Sequence, residues 1–366
     1  MSKVRIGILG CGQIAQHHMR TYKGIPDAEM VACADISEAA AQASATEFGI
    51  PHALKSIDDL LKIEEIDAID VCLHNNLHLP GTVRALEAGK HVYCEKPMAG
   101  SYADAETMLN TARKTSKQLH IQLSTLYSDE TRAAKELIDL GELGEVFHAR
   151  STGFRRRGRP YVDGYGTPSF VQKRHSSGGA LYDMGVYHIA RMLFLLGNPD
   201  VDRISGLTYQ KMDMDARRRE ISNYDVEELG LGLVRFKDGL SMDVLESWAV
   251  HLGSFEGSSI VGSKGGVRLN PFSFHRSFGD IDIDGTANLG SANYRWHNVK
   301  EDGIYYSESQ RHWVAALQGK VPLIPTAEIA LNTMLISEGI YMSSQRGQEV
   351  TASEVREASV STANSL

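Results

Sequence analysis

Short apolar runs punctuate the first 124 residues, and between them apolar positions return every three or four residues. Residues 4–9, 30–34, 68–73, 91–94 and 119–123 are almost continuously apolar, as strands buried on both faces are. The intervening stretches carry helix signals. Ser56-Ile57-Asp58-Asp59 and Ser101-Tyr102-Ala103-Asp104 have the Ser-x-x-acid form of a capping box, and Gly49 and Gly89 stand where a helix end wants a left-handed residue. This alternation predicts an α/β domain with a doubly wound parallel sheet over residues 1–124.

The rhythm changes near residue 125. A helix is expected over 129–140, closed by Gly141. Longer strand-like runs follow at 145–154, 229–236, 240–249 and 258–261. Lys237-Asp238-Gly239 reads as a hairpin turn, Ser263-Lys264-Gly265-Gly266 as another, and a helix near 179–196 interrupts the strands. Residues 125–366 therefore read as an α+β domain with a large, mainly antiparallel open sheet. A last helix is expected over 326–344, and the polar tail from Gln348 is expected to be mobile. No internal repeat is evident.

Composition narrows the function classes. The chain has 366 residues, 42% hydrophobic and 23% charged, as in soluble globular proteins. No apolar run approaches bilayer length, and the N-terminus leads straight into a strand, so a cytoplasmic protein is expected. A net charge of −8 gives no reason to expect nucleic-acid binding. Four cysteines, Cys11, Cys33, Cys72 and Cys94, lie in or beside predicted strands at no zinc-like spacing and read as small buried residues.

The first strand runs into Gly10-Cys11-Gly12-Gln13-Ile14-Ala15. Glycines at these two places allow a tight turn and close approach of a pyrophosphate, and the helix opening at Gln13 and Ile14 would point free N–H groups at it. A Rossmann dinucleotide-binding domain is thus expected. Asp35 ends the second strand, followed by Ile36 with no arginine. A carboxylate there would accept hydrogen bonds from ribose hydroxyls and repel a 2′-phosphate, which favours NAD over NADP. A lesser alternative, which does not exclude the ribose role, is that Asp35 caps the next helix.

Residues 6–15, 67–78, 85–97 and 178–197, with Glu95-Lys96-Pro97 after Ala88-Gly89-Lys90-His91-Val92, resemble the glucose–fructose oxidoreductase / inositol dehydrogenase / MocA family. Asn75 and His78 match a family segment in which proline usually stands at the place of His74. The resemblance implies that Leu73, Asn75, His78, Glu95, Lys96 and Gln122 border the cofactor. It implies that Lys96 stabilises the alkoxide of a sugar or cyclitol and moves its proton. A nearby nicotinamide cation would lower the Lys96 pKa.

Within Gly178-Gly179-Ala180-Leu181-Tyr182-Asp183-Met184-Gly185-Val186-Tyr187-His188, the resemblance marks Asp183 as a hydroxyl-binding group and the residue four places on as the acid/base. That residue is Tyr187, with His188 the alternative about 100° further round the helix. Weaker substrate-side candidates are Tyr127, Arg155 in the run Arg155-Arg156-Arg157-Gly158-Arg159, His175, Trp248 and His251. His17-His18 and His74 with His78 suggest a metal, but no carboxylate or cysteine set completes such a site, so none is expected.

The expected activity is oxidation or reduction of a secondary hydroxyl of a sugar, glycoside or cyclitol. One alternative is a redox-neutral enzyme that retains NAD(H) for sugar–sugar oxidoreduction or glycoside cleavage, which the tyrosine at 187 favours. A third is a non-catalytic sugar or NAD sensor. The family often buries its open sheet between subunits, so a homodimer or homotetramer is expected.

Overall fold

The computed structural model describes residues 2–366 and contains two sheets. In the first, β1 (Val4–Leu9), β2 (Ala28–Ala34), β3 (His52–Leu54), β4 (Ala68–Val71), β5 (His91–Cys94) and β6 (Leu119–Ile121) run parallel in the order β3-β2-β1-β4-β5-β6. Strand order reverses direction between β1 and β4, so the crevice for a ligand opens at the carboxyl ends of these strands. Five strands lie where the apolar runs predicted them. The three-residue β3, only partly buried, carries no such run. All four cysteines are buried and free, as expected.

The second sheet has nine strands: β7 (Val146–Phe154), β8 (Val201–Tyr209), β9 (Leu229–Phe236), β10 (Ser241–Ser247), β11 (Ser259–Gly262), β12 (Gly266–Leu269), β13 (Phe272–Phe278), β14 (Ile281–Thr286) and β15 (Val350–Thr351). Their order is β14-β13-β12-β11-β7-β10-β9-β8-β15, antiparallel throughout except where β7 meets β10. One face is covered by the helices Val186–Leu195 and Thr326–Arg346. Ile189, Leu193, Ile336 and Ile340 pack there on Ile204, Val234, Met242 and Val244. The other face leaves Leu207, Leu233 and Val261 exposed. Strands β8 and β12–β15 escaped the sequence pattern. β8 breaks its apolar alternation with Arg203, Ser205 and Gly206, and β14 alternates isoleucine with aspartate at a largely exposed edge.

The late part of the chain returns to the first sheet. Trp313 is fully buried with Ile6, Ile8 and Tyr93, and the Ile121 amide of edge strand β6 donates to Thr326 Oγ1 at 2.8 Å. The expectation of a mobile tail is wrong. After Gln348 come β15 and the helix Ala352–Ala358, whose Thr351 and Glu354 form a reciprocal capping box. Beyond it the Thr362 amide donates to the buried Asp104 carboxylate (2.9 Å), and the Asn364 amide donates to the Asn76 carbonyl (2.9 Å). A polar composition suggested mobility, but specific backbone donors find buried acceptors.

Replacing Thr326 with valine keeps the shape and removes the acceptor of a buried edge amide. Thr326→Val should cost about 1–3 kcal/mol in urea unfolding at unchanged m-value. A loss well under that range would show that the amide has another partner.

Candidate active site

The dinucleotide end forms at the carboxyl ends of β1 and β2. Gly10 has φ +93°, and a Cβ there would stand 2.4 Å from the Cys72 carbonyl oxygen, so the fold itself requires glycine. Gly12 differs. A Cβ there would meet no atom within 4 Å, and the helix Gln13–Lys23 that it opens has no side-chain cap. An open space thus faces unpaired N–H groups at a positive helix end, which suits an anion such as a pyrophosphate. Gln13 is exposed on that first turn and Ile14 is 37% exposed. Asp35 accepts from the Cys11 amide and the Ser37 amide, both at 2.8 Å. The helix cap is Ser37, which accepts from the Ala40 amide, so Asp35 is not the cap. Its carboxylate keeps lone pairs for further donors. Ile36 beside it is 96% exposed, a flat apolar perch for a base. These residues fit a dinucleotide.

A second cluster forms where β5 meets the second domain. Lys96 Nζ donates to the Asp183 carbonyl oxygen at 2.9 Å and to Asp183 Oδ1 at 3.1 Å, and lies 4.7 Å from the centre of the Tyr187 ring. Asp183 Oδ2 accepts from Trp248 Nε1 at 2.9 Å and lies 3.6 Å from Arg155 Nη1. The Tyr187 hydroxyl donates to Gln122 Oε1 at 3.2 Å. Residues Leu181–Gly185 form a single π-helical turn before the α-helix Val186–Leu195. Such turns are frequent at functional sites, and here Asp183 and Tyr187 still reach the same amine.

Charge follows geometry. Burial pulls the Lys96 ammonium towards its neutral form, but Asp183, Tyr187 and Glu95 outweigh it and hold the pKa above the ordinary lysine value. In the protein by itself, the carboxylate in direct contact sets the direction of the shift. Burial raises the Asp183 carboxyl, and Lys96, Trp248 and Arg155 together bring it below the usual range. Burial pushes the Tyr187 phenol up to about 12, with Lys96 opposing and Glu95 and Asp183 adding to the rise.

Residues 4–123 match the sequence model described as "Oxidoreductase family, NAD-binding Rossmann fold", and residues 131–268 match its partner, the GFO/IDH/MocA C-terminal domain. The chain belongs to the Gfo/Idh/MocA oxidoreductase family. It is 28% identical over 357 residues to the D-glucoside 3-dehydrogenase of Escherichia coli K12, covering 95% of this chain and 97% of that one. It is 31% identical over 198 residues to the inositol 2-dehydrogenase of Rhizobium meliloti, 54% of this chain and 56% of that one. The levoglucosan dehydrogenase solved with NADH and L-sorbose shares the fold, with TM-score 0.80 at 18% identity over 96% of this chain and 99% of that one.

This Gfo/Idh/MocA oxidoreductase does not gather every expected residue at Lys96. His188 turns to the buried Glu246 (Nδ1 to Oε2, 2.9 Å), in a seat that a Cβ on Gly153 would fill. Tyr127 is not at the site. It is buried against His312, its hydroxyl 3.4 Å from His120 Nε2. His175 stands near His74, ring centres 6.4 Å apart. Asn75 gives its amide to the Ser176 carbonyl oxygen (2.8 Å), and the buried His78 ring contacts the carbonyl oxygens of Pro97 (2.7 Å) and Leu73 (3.1 Å). Leu73 itself packs against the Gly10 turn. In the arginine run, Arg159 is buried on Asp163 and Glu228, Arg157 reaches Asp163, and Arg155 alone of these pairs with Asp183.

Two groupings escaped the sequence. Trp248, read only as a weak pocket candidate, is a direct partner of Asp183, and nothing in a separation of 65 residues announces that. His18 does acquire a carboxylate and a thiol. Its ring, Asp70 and Cys72 bring three potential ligand atoms within 4.8 Å of one another, contrary to the expectation that nothing would complete a set. Both ring nitrogens are taken up by hydrogen bonds, to Asp70 and Glu95.

The two glycines separate folding from binding. Gly10→Ala should lower stability by about 1–3 kcal/mol. Gly12→Ala should stay within about 1 kcal/mol of the parent yet weaken NADH binding, followed by fluorescence titration, at least ~10-fold. Equal effects of the two on melting temperature would contradict the open space before Gly12.

Proposed function

We propose that this protein is an NAD-dependent dehydrogenase that oxidises or reduces a secondary hydroxyl of a sugar, glycoside or cyclitol, with C3 of a glycoside the first candidate. The contact of Lys96 with Asp183 and Tyr187 carries this reading, supported by the full-length likeness to a glucoside 3-dehydrogenase. In it, residues 1–124 hold the dinucleotide and residues 125–366 supply the substrate side and the subunit contacts of a cytoplasmic homodimer or homotetramer. No helix of the described residues is long and apolar enough to cross a membrane.

A bound nicotinamide supplies the hydride acceptor or donor. The chain supplies the rest. Gly10, Gly12 and the first turn at Gln13 and Ile14 receive the pyrophosphate. Asp35 takes the ribose hydroxyls and disfavours a 2′-phosphate, so NAD is preferred to NADP. The Lys96 ammonium donates to the substrate oxygen, stabilises negative charge developing there, and gives or takes its proton. Asp183 keeps that amine charged and aimed. Tyr187, whose hydroxyl is engaged with Gln122, is the nearest second acid. Arg155 stands at the substrate side of Asp183.

Incubation with NAD and a panel of glucosides, free sugars and inositols should produce NADH with at least one of them, and keto-sugars should consume it. No change in either direction would remove the proposal. Lys96→Ala should cut kcat at least ~100-fold. The sign of the pH dependence follows from the raised Lys96 pKa. Near neutrality the amine is protonated, ready to give a proton in reduction but not to take one in oxidation. Oxidation should therefore accelerate between about pH 7 and 9 while reduction stays level; a level oxidation profile would exclude Lys96 as the base. Protein purified with NAD(H) in place, turning over with none added, would identify the redox-neutral alternative.

A further inference from the structure

Below the reacting amine lies a closed set of charges that the proposed chemistry does not use. His18, in the second turn of the helix Gln13–Lys23, has no exposed surface. Its Nδ1 is 2.9 Å from Asp70 Oδ2 and its Nε2 is 2.8 Å from Glu95 Oε1. The other Glu95 oxygen accepts the Lys96 backbone amide at 2.9 Å. Cys72 Sγ lies 3.3 Å from both His18 Nδ1 and Asp70 Oδ1.

Counting protons constrains this set. A neutral imidazole has one N–H and cannot donate to two carboxylates, whereas an imidazolium donates to both. The signs then alternate along one row: Asp70, His18, Glu95, Lys96, Asp183, Arg155. We propose that His18 is a positioning residue for the reacting amine: a buried imidazolium that ties Glu95, and through it the Lys96 backbone, to the helix that faces the dinucleotide. The consequence for catalysis rests on the function proposed above; the charge state of the ring does not.

The surroundings agree. Burial opposes charge on His18, but Asp70 and then Cys72 outweigh it and hold the ring above the ordinary histidine value. Burial likewise opposes charge on Glu95, and His18 foremost, with Lys96, brings it below the usual carboxylate range. Three tyrosines also bear on the set and stay neutral: Tyr22 on the same helix, Tyr93 on β5 with its ring 5.6 Å from His18, and Tyr187 from the second domain. His78 and Cys94 also lie within electrostatic reach of Glu95. Burial leaves His78 below and Cys94 above their ordinary values, so both are neutral. Without His18, the Asp70 and Glu95 carboxylates would lack the cation between them. Glu95 would then take a proton, and its hold on the Lys96 amide would weaken.

The test combines histidine NMR with kinetics of the full-length protein. In the parent, the ring carbon and nitrogen shifts of His18 should remain those of an imidazolium from about pH 5 to 9, where a free histidine would titrate. His18→Gln, with one amide donor group and no charge, should lower kcat about tenfold while the sugar KM changes little. It should also lift the acid limb of the kcat profile by about one to three units, the effect of losing an adjacent opposite charge. His18→Gln/Asp70→Asn removes one facing carboxylate as well and should recover most of that shift, which loss of packing alone would not allow. A neutral His18 ring at pH 7, or an acid limb unmoved in His18→Gln, overturns the proposal. Should no sugar be turned over, the His18 ring shifts of the parent still decide. If His18→Gln does not fold, the parent NMR titration gives the answer.

Discussion

The ion pair between Lys96 and Asp183 joins the two domains between the end of a strand and the start of a helix. Lys96 lies two residues after the end of β5, and Asp183 sits inside the π-helical turn that starts a helix of the second domain. Both side chains are more than four-fifths withdrawn from solvent. Holding two charges there costs desolvation that mutual attraction need not recover. The surrounding donors make the cost tolerable, since Asp183 receives Lys96 twice, the Trp248 indole and the Arg155 guanidinium. An apolar pair of the same volume could hold the domains together, but it could not present an ammonium to a sugar oxygen.

Other contacts keep this pair in register. Asn75 and Asn76, after β4, donate to the carbonyls of Ser176 and Arg174 across the domain boundary. The chain end adds a further clasp through Thr362 and Asn364. Gly100 leaves the space that Thr362 and Ser177 occupy, since a Cβ there would overlap both hydroxyls. Three distant stretches of chain are thus tied together at the domain boundary, each bond using a backbone group on at least one side. Small polar side chains at these places achieve what bulky ones could not.

Much of the first domain was legible because it is local. Continuous apolar runs mark doubly buried strands, and Gly10 and Gly12 mark a turn whose backbone must come close to something. The glutamate–lysine–proline signature and the Asp183–Tyr187 spacing marked, through the family resemblance, residues that the fold brings together. The second sheet was half legible, since β7, β9, β10 and β11 alternate or run apolar while β12–β14 are short or polar. Tyr127 misled for a related reason. Its place after β6 is near the site in sequence, but its side chain turns into the cluster with His120 and His312.

The sequence by itself determined the dinucleotide fold, and through the family resemblance it singled out Lys96 and the helix that meets it, because hydrophobic period, glycine geometry and motif spacing act over a few residues. Only the tertiary structure decided that lysine's charge state, the choice of Tyr187 rather than His188 as its neighbour, and the pairing of Trp248 with Asp183 and of His18 with Glu95. Those depend on burial and on charges brought together from 65 and 77 positions apart in the chain. Coulombic and desolvation effects answer to distance in space, which no local pattern records.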